Sequence, residues 1–211
     1  MISNIYFMIE FKNILDSLVE RGATMTYLET DRLILRTFTE KDINDLHLLL
    51  NDVSVNTFLP WYPHTTLSKT WAFYEKTIKH QPYYLAICLK GNNCPIGYVK
   101  AEMNDSHDFG YALRKEFWHK GIVTEASKSL VSLLKKEGIP YITATHDVEN
   151  YRSGNVMKQI GMTYCYSYKE QWQPKNVLIT FRMYQLNLDG HADRVYKKYW
   201  DTYPDHFIED I

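Results

Sequence analysis

The chain has 211 residues, 45% of them hydrophobic and 23% charged, with a net charge of −1 at pH 7. That composition is ordinary for one soluble globular domain with a real core, and the charge balance excludes a general nucleic-acid binder, which needs a basic domain. Cys88, Cys94 and Cys165 are widely spaced with no C-x-x-C pair, so no metal site and no disulfide framework is expected, and a reducing cytoplasm is the natural setting.

No apolar run approaches the ~20 residues of a membrane span. The N-terminus lacks a basic leader, and Glu10 and Lys12 interrupt its apolar residues, which argues against a signal peptide. Residues 1–24 carry Ile9, Ile14, Leu15, Leu18 and Val19 at helical spacing before Gly22. Two readings stay open there: an extension upstream of a start at Met25, or a helix that packs on the domain or on a partner subunit.

A strand is expected at 28–37. Thr39 and Asp42 form a capping box that opens a helix with Ile43, Leu46, Leu49 and Leu50 on its apolar face. The linker 58–64 is aromatic, and a helix over about 67–80 carries Trp71, Phe73 and Tyr74. Strands follow at 83–89, 96–103 and 107–113, the first two joined by a turn at Lys90–Asn93. A helix begins near Ile122, carries Ala126, Leu130, Val131, Leu133 and Leu134 as an apolar stripe, and stops at Gly138 and Pro140. The strand 141–146 runs parallel in sense to 107–113, as a helical crossover requires. Asn150 caps a helix that Gly161 ends, and strands at 163–170 and 177–187 close the sheet. In the tail, 189–211, Tyr196, Tyr199, Trp200, Tyr203 and Phe207 at near-helical spacing predict docking onto the domain.

The stretch from Asp108 to Ala126 organises the rest. A strand delivers the chain through His119-Lys120-Gly121 to a helix N-terminus, where open N–H groups and the macrodipole favour an anion. Between residues 113 and 138 six Lys or Arg face three Glu, an excess that suits a polyphosphate. The turn is neither a Walker A loop nor a G-x-G-x-x-G fingerprint.

Gly110-Tyr111-Ala112-Leu113 followed by Phe117-Trp118-His119-Lys120-Gly121-Ile122-Val123-Thr124-Glu125-Ala126 resembles the acetyl-CoA-binding motif of the GNAT superfamily of N-acetyltransferases. The block from Asn150 to Met162 is similar to the Asn-x-x-Ser helix of the group containing the ribosomal-protein alanine and serine N-terminal acetyltransferases. Leu28–Arg36 resembles that group's opening strand. Two departures are the reduced glycine content of the 119–121 turn and Met162 in place of an aromatic.

The resemblance covers roughly residues 25–188 and implies an α/β (α+β) fold: a mixed, mostly antiparallel sheet of about seven strands, about four helices, and a central parallel pair splayed for acetyl-CoA. It implies that the backbone of Tyr111, Ala112 and Leu113 holds the pantetheine arm. The turn Trp118, His119, Lys120, Gly121, Ile122 and Val123 would hold the pyrophosphate, with the hydroxyl of Thr124 added. Asn150 and Ser153 would contact the arm near its thiol end, with Ser153 as proton donor to the leaving thiolate. As general base, Glu102 is favoured over His146 and Asp147. Segment 58–80 would form one wall of the acceptor cleft; it has only Glu75 as an acid, which favours a peptide or neutral amine.

The implied partners are acetyl-CoA and an amine, with no metal, nucleic acid or membrane, in a monomer or homodimer. The implied reaction is direct acetyl transfer to a peptide N-terminal α-amine. The alternatives are a small-molecule amine (polyamine, amino acid or aminoglycoside) or a CoA-binding module without catalysis.

Overall fold

The computed structural model describes residues 26–211, so the expected extension 1–24 lies outside the described residues. The expected strand 28–37 is two strands, β1 (Tyr27–Glu29) and β2 (Leu33–Thr37), paired antiparallel with Leu28 opposite Leu35. The Thr30 hydroxyl breaks the run by accepting the Leu33 amide at 3.0 Å, a local side-chain turn that hydrophobic pattern alone does not signal.

Asp42 accepts from the Thr39 amide at 2.7 Å and from its hydroxyl at 2.9 Å. A 3₁₀ turn at Glu40–Asp42 then leads into α1 (Ile43–Asn51), with Ile43, Leu46, Leu49 and Leu50 buried as their spacing requires. The short α2 (Val53–Asn56) follows. The expected helix 67–80 is α3 (Leu67–Phe73) continued by a π turn, Tyr74–Ile78. After β3 (Tyr84–Leu89), β4 (Pro95–Ala101) and β5 (Phe109–Leu113) come α4 (Ile122–Lys136), β6 (Tyr141–Asp147), α5 (Tyr151–Gln159), β7 (Thr163–Trp172) and β8 (Val177–Asn187). The tail adds α6 (Lys198–Thr202) and β9 (His206–Phe207).

The strands form two sheets, β1-β2-β3-β4-β5 and β6-β8-β7-β9, all of whose ladders are antiparallel. They join at one parallel bridge between Asp108 and Thr143. The described strands therefore number nine rather than seven, because β1 splits off and the tail contributes β9. Alternation along β3 sets the two cores of the first sheet: Leu85 and Ile87 pack toward α4, while Ala86 and Cys88 pack toward α1. Leu130 and Leu134 of α4 are fully buried, a stabilisation of about 1.5–3 kcal/mol each. Burial pushes the Cys88 thiol up to about 12, so it behaves as a small apolar side chain. A third core, on the second sheet, is aromatic: Tyr166, Tyr168, Phe181 and Met183 take up tail residues Tyr196, Tyr199, Trp200 and Tyr203. Among the described residues no helix is long and apolar enough to cross a membrane.

Candidate active site

The site begins with an edge left unpaired. The Arg114 amide donates to the Ile96 carbonyl at 2.9 Å and the Glu102 amide to the Asp108 carbonyl at 3.0 Å. The even-numbered residues of β5 thus turn their backbones toward β4, and Phe109, Tyr111 and Leu113 turn theirs toward β6. β5 and β6 touch where the Thr143 amide donates to His107 O at 3.3 Å and the Thr143 hydroxyl to Ser106 O at 2.8 Å, and then diverge. A cleft of about 1550 Å³ runs through the gap. Tyr111 and Leu113 therefore present backbone to the cleft. Ala112 does not: its amide and carbonyl belong to the β4 ladder, and only its methyl side faces the opening. The Leu113 carbonyl is also engaged, accepting from the Trp118 indole N–H at 2.7 Å.

At the mouth of this edge the chain turns sharply. His119 (φ 60°) and Gly121 (φ 69°) are both left-handed, and no side chain caps α4. The first intrahelical bond runs from the Glu125 amide to Gly121 O at 3.0 Å, so the amides of Ile122, Val123 and Thr124 precede it and point out along the axis. A Cβ on Gly121 would meet only the Arg32 guanidinium, at 3.7 Å, so an open approach lies over this residue. The turn is held from behind: Arg32 donates to Lys120 O at 2.9 Å and to Glu125 at 2.6 Å, and the Thr30 hydroxyl donates to Glu125 at 2.5 Å. Lys120 folds back to Glu116 O at 2.8 Å, over the Phe117 ring. Arg152 lies over the Trp118 ring, adding a third side's positive charge. The Thr124 hydroxyl is committed to Gln159 Oε1 at 2.8 Å.

On the far side of the gap Asn150 caps α5, its Oδ1 accepting the Ser153 amide at 3.4 Å. The Tyr111 side chain spans the gap: its hydroxyl donates to Ser153 O at 2.8 Å and lies 2.9 Å from Ser153 Oγ. With the tyrosine proton on the carbonyl, the serine hydroxyl is the donor of the second bond. Burial holds the Tyr111 hydroxyl well above its ordinary range, so it stays protonated. Its side-chain role was absent from the sequence reading, although β-strand alternation puts Tyr111 on the helix-packed face.

Glu102 is not a free carboxylate. Lys100 Nζ lies 2.5 Å from its Oε1 and Asn104 donates to its Oε2 at 2.8 Å. The same ammonium lies 3.0 Å from Asp108, whose carboxyl burial pushes up despite that contact. Burial alone would lower Lys100, but Asp108 and Glu102 outweigh it and hold the ammonium above its usual value. His146 is buried with Nδ1 at 2.8 Å from Asp147 O, and burial pushes its pKa down. A Cβ on Gly154 would come 2.7 Å from its Nε2, so α5 rests directly on the ring. Asp147 accepts the Glu149 amide at 2.9 Å in a turn.

The other end of the cleft has walls from two segments. Phe58, Leu59 and Trp61 contribute from the expected aromatic linker, whereas Tyr74 is buried in the core. The β7–β8 turn crosses to meet them: Lys175 donates to the Asn56 and Thr57 carbonyls at 2.7 Å each, and the Tyr62 hydroxyl reaches Pro174 O at 3.3 Å. Glu102, Asp108, Glu149 and Glu170 also line the cleft, so its acids come from segments other than 58–80.

An opened parallel pair ending in an uncapped, left-handed turn is one half of the comparison; sequence similarity supplies the other. The acetyltransferase (GNAT) domain family matches residues 32–163. The chain belongs to this family. It is an N-acetyltransferase, transferring acetyl to an amine, and its residues beyond 163 lie outside the family match. It is 26% identical over 140 residues to the uncharacterized N-acetyltransferase YnaD of Bacillus subtilis (strain 168), covering 64% of this chain and 82% of that protein. A GNAT-family acetyltransferase from Bacillus anthracis shares the fold with a TM-score of 0.70 at 22% identity, over 78% of this chain and 99% of that one. RimL, a ribosomal L7/L12 α-N-protein acetyltransferase solved with coenzyme A, shares it with a TM-score of 0.64 at 19% identity, over 78% and 99%. MccE, a microcin C7 self-immunity acetyltransferase solved with acetyl-CoA and AMP, gives 0.65 at 22%, over 75% and 93%.

Proposed function

We propose that this N-acetyltransferase uses acetyl-CoA as donor and the N-terminal α-amine of a peptide as acceptor, by direct attack in a ternary complex. The observation that carries the reading is the alignment, along one opened strand edge, of the left-handed 119–121 turn at one end and the Tyr111–Ser153 pair within the gap. The family's donor, and the coenzyme A and acetyl-CoA bound in the RimL and MccE structures, support acetyl-CoA; RimL's action on a protein α-amine supports the peptide acceptor. Acetyl-CoA supplies the activated acetyl group as a thioester.

Each residue has a task in that reading. The amides of Ile122, Val123 and Thr124, with Lys120, His119 and Trp118 around them, bind the pyrophosphate. The cleft-facing amide of Tyr111 is a donor to a developing oxyanion, an interaction worth about 2.7–4 kcal/mol in such sites. As the thiolate departs, Ser153 turns its O–H from the Tyr111 oxygen to protonate the sulfur and takes a replacement proton from water. Tyr111 positions the serine between turnovers, and Asn150 fixes the helix start that presents Ser153. The Lys100-linked carboxylates Glu102 and Asp108 act together as proton acceptor for the amine, a coupled pair rather than a single base. An α-amine, with an ordinary pKa of about 7.7–8.0, needs only such modest help. A cytoplasmic setting accords with three cysteines that form no disulfide.

A second reading, a small cationic amine, is favoured by the carboxylates of Glu102, Asp108, Glu149 and Glu170 in the cleft. Thiol release from acetyl-CoA, measured with a hexapeptide bearing a free N-terminal alanine and with spermidine, separates the two. Turnover with the peptide supports the first reading, and turnover with spermidine alone replaces it.

A further inference from the structure

The tail is fastened to the second sheet at several points between Tyr196 and Glu209. Tyr196 donates its amide to Gln185 at 2.7 Å, and the Tyr166 hydroxyl donates to Tyr196 O at 2.7 Å. Lys169 contacts Asp205 through both amide and ammonium, at 2.8 Å each. β9 then adds an edge to β7, with Ser167 opposite Phe207 and Tyr168 opposite His206. The final fastening is Glu209, whose carboxylate takes Arg182 Nε at 3.0 Å and Nη2 at 2.5 Å, with the Ser167 hydroxyl as a further donor. A fork-on-fork pair of this kind fixes orientation as well as position.

What this fastening presents is a set of rings. Tyr168 stacks on Tyr199 (centroids 5.2 Å, 14° between planes) and on Tyr203 (4.8 Å, 13°). All three line the same cleft as Tyr111 and Asp108. Tyr199 and Tyr203 are only half-buried, although a tail that served solely to cover the third core would bury them. Lys198, the residue before Tyr199, pairs at 3.1 Å with Asp105, in the loop that leads to Asp108. The rings therefore stand beside the junction of the two sheets, at the end of the cleft away from Gly121.

We propose that the tail is the specificity element of the acceptor site: Tyr199 and Tyr203 form the wall against which the body of the amine packs, and the Arg182–Glu209 clamp holds that wall in place. The inference rests on the reading that the amine enters this cleft while the donor occupies the opened edge. Aromatic faces bordered by carboxylates bind the aliphatic stem or cationic end of an amine without touching the donor. The tail then acts on acceptor affinity and leaves donor affinity alone.

The test compares Tyr199→Ala, Tyr199→Phe and Glu209→Gln with the wild type. Donor affinity is measured by calorimetry with acetyl-CoA, and acceptor KM by thiol release with the alanine hexapeptide and with spermidine; where neither turns over, the readout is acetyl-CoA hydrolysis without amine. For Tyr199→Ala and Glu209→Gln, an acceptor KM raised about tenfold with acetyl-CoA Kd within about twofold is expected, or hydrolysis accelerated at least about threefold as water enters. Tyr199→Phe, which keeps the ring, should recover most of the acceptor KM lost in Tyr199→Ala. Unchanged KM and hydrolysis in folded Tyr199→Ala and Glu209→Gln would overturn the proposal. So would a change of oligomeric state with unchanged KM, which would assign the rings to a subunit interface. Failure of the wild type to bind acetyl-CoA would instead strike the donor reading.

Discussion

The hydroxyl of Tyr111, on β5, lies 2.9 Å from Oγ of Ser153, in the first turn of α5, and so bridges the two elements that border the opened edge. The contact orients the serine hydroxyl and at the same time limits how far α5 can move from the strand. Replacing Ser153 by Ala should lower kcat about a hundredfold, the low end for loss of a positioned proton donor, with acetyl-CoA affinity unchanged. Tyr111→Phe should lower it less, because the serine keeps its hydroxyl but loses its orienting partner. Steady-state turnover together with calorimetric acetyl-CoA titration checks both, and equal turnover in Ser153→Ala would remove that residue from the mechanism.

Arg32 touches no part of the opened edge, yet it holds the turn through Lys120 O and Glu125. Arg32→Ala should raise acetyl-CoA Kd about tenfold and leave kcat at saturating donor unchanged, since the amides lose their support but the reacting end does not. A binding isotherm like that of the wild type would show that the turn holds its shape unaided.

The carboxylate pair gives a pH signature. Burial raises the Asp108 pKa, so its charged, proton-accepting form is lost as pH falls through that raised value. The rate with an amine acceptor should therefore decline on the acid side at a pH above the ordinary aspartate range. Asp108→Asn should move or abolish that limb, and Glu102→Gln should shift it downward by removing a like charge. An acid limb identical in all three proteins would exclude both carboxylates.

Stability has its own titration. Burial pushes the Asp42 carboxyl up, but two bonds from Arg36 at 2.8 Å each and those from Thr39 outweigh it and hold the group below its usual value. A lowered folded pKa means that this stabilisation is present above about pH 4 and is lost as pH falls through the folded value. Removing Asp42 leaves the Arg36 guanidinium buried without its partner, so Asp42→Ala should cost about 3–5 kcal/mol at neutral pH. Denaturant melts at pH 7 and pH 3 should show the deficit shrinking in acid; a deficit independent of pH would mean that packing, not charge, is lost.

Periodic signals carried most of the fold. The α1 and α4 faces, the Thr39–Asp42 box and the Gly138 stop are local features, and each is present as expected. The break at Thr30 was hidden because a single hydroxyl-to-amide bond overrides a run that is otherwise strand-like. For the site, the 119–121 turn was legible because its chemistry is contiguous in sequence. Tyr111 with Ser153, and Lys100 with Glu102 and Asp108, depend on which face a strand turns toward a helix 42 residues away and on a β4–β5 register. The tail's rings were legible as a docking stripe, but their place in the cleft depends on the β7–β9 pairing, which two strand residues barely announce.

The central claim is that the left-handed turn at Gly121 binds the donor's pyrophosphate, and calorimetric titration of acetyl-CoA into wild type, Gly121→Ala and Gly121→Glu tests it most directly. A left-handed φ costs a non-glycine residue about 1–2 kcal/mol, so Gly121→Ala isolates that strain and Gly121→Glu adds bulk and negative charge over the open approach. The expected result is saturable binding by the wild type, modest weakening in Gly121→Ala, and at least about a hundredfold loss, roughly 2.7 kcal/mol, in folded Gly121→Glu. Equal affinity in folded Gly121→Glu and wild type would contradict the placement of the pyrophosphate, and with it the account of the site.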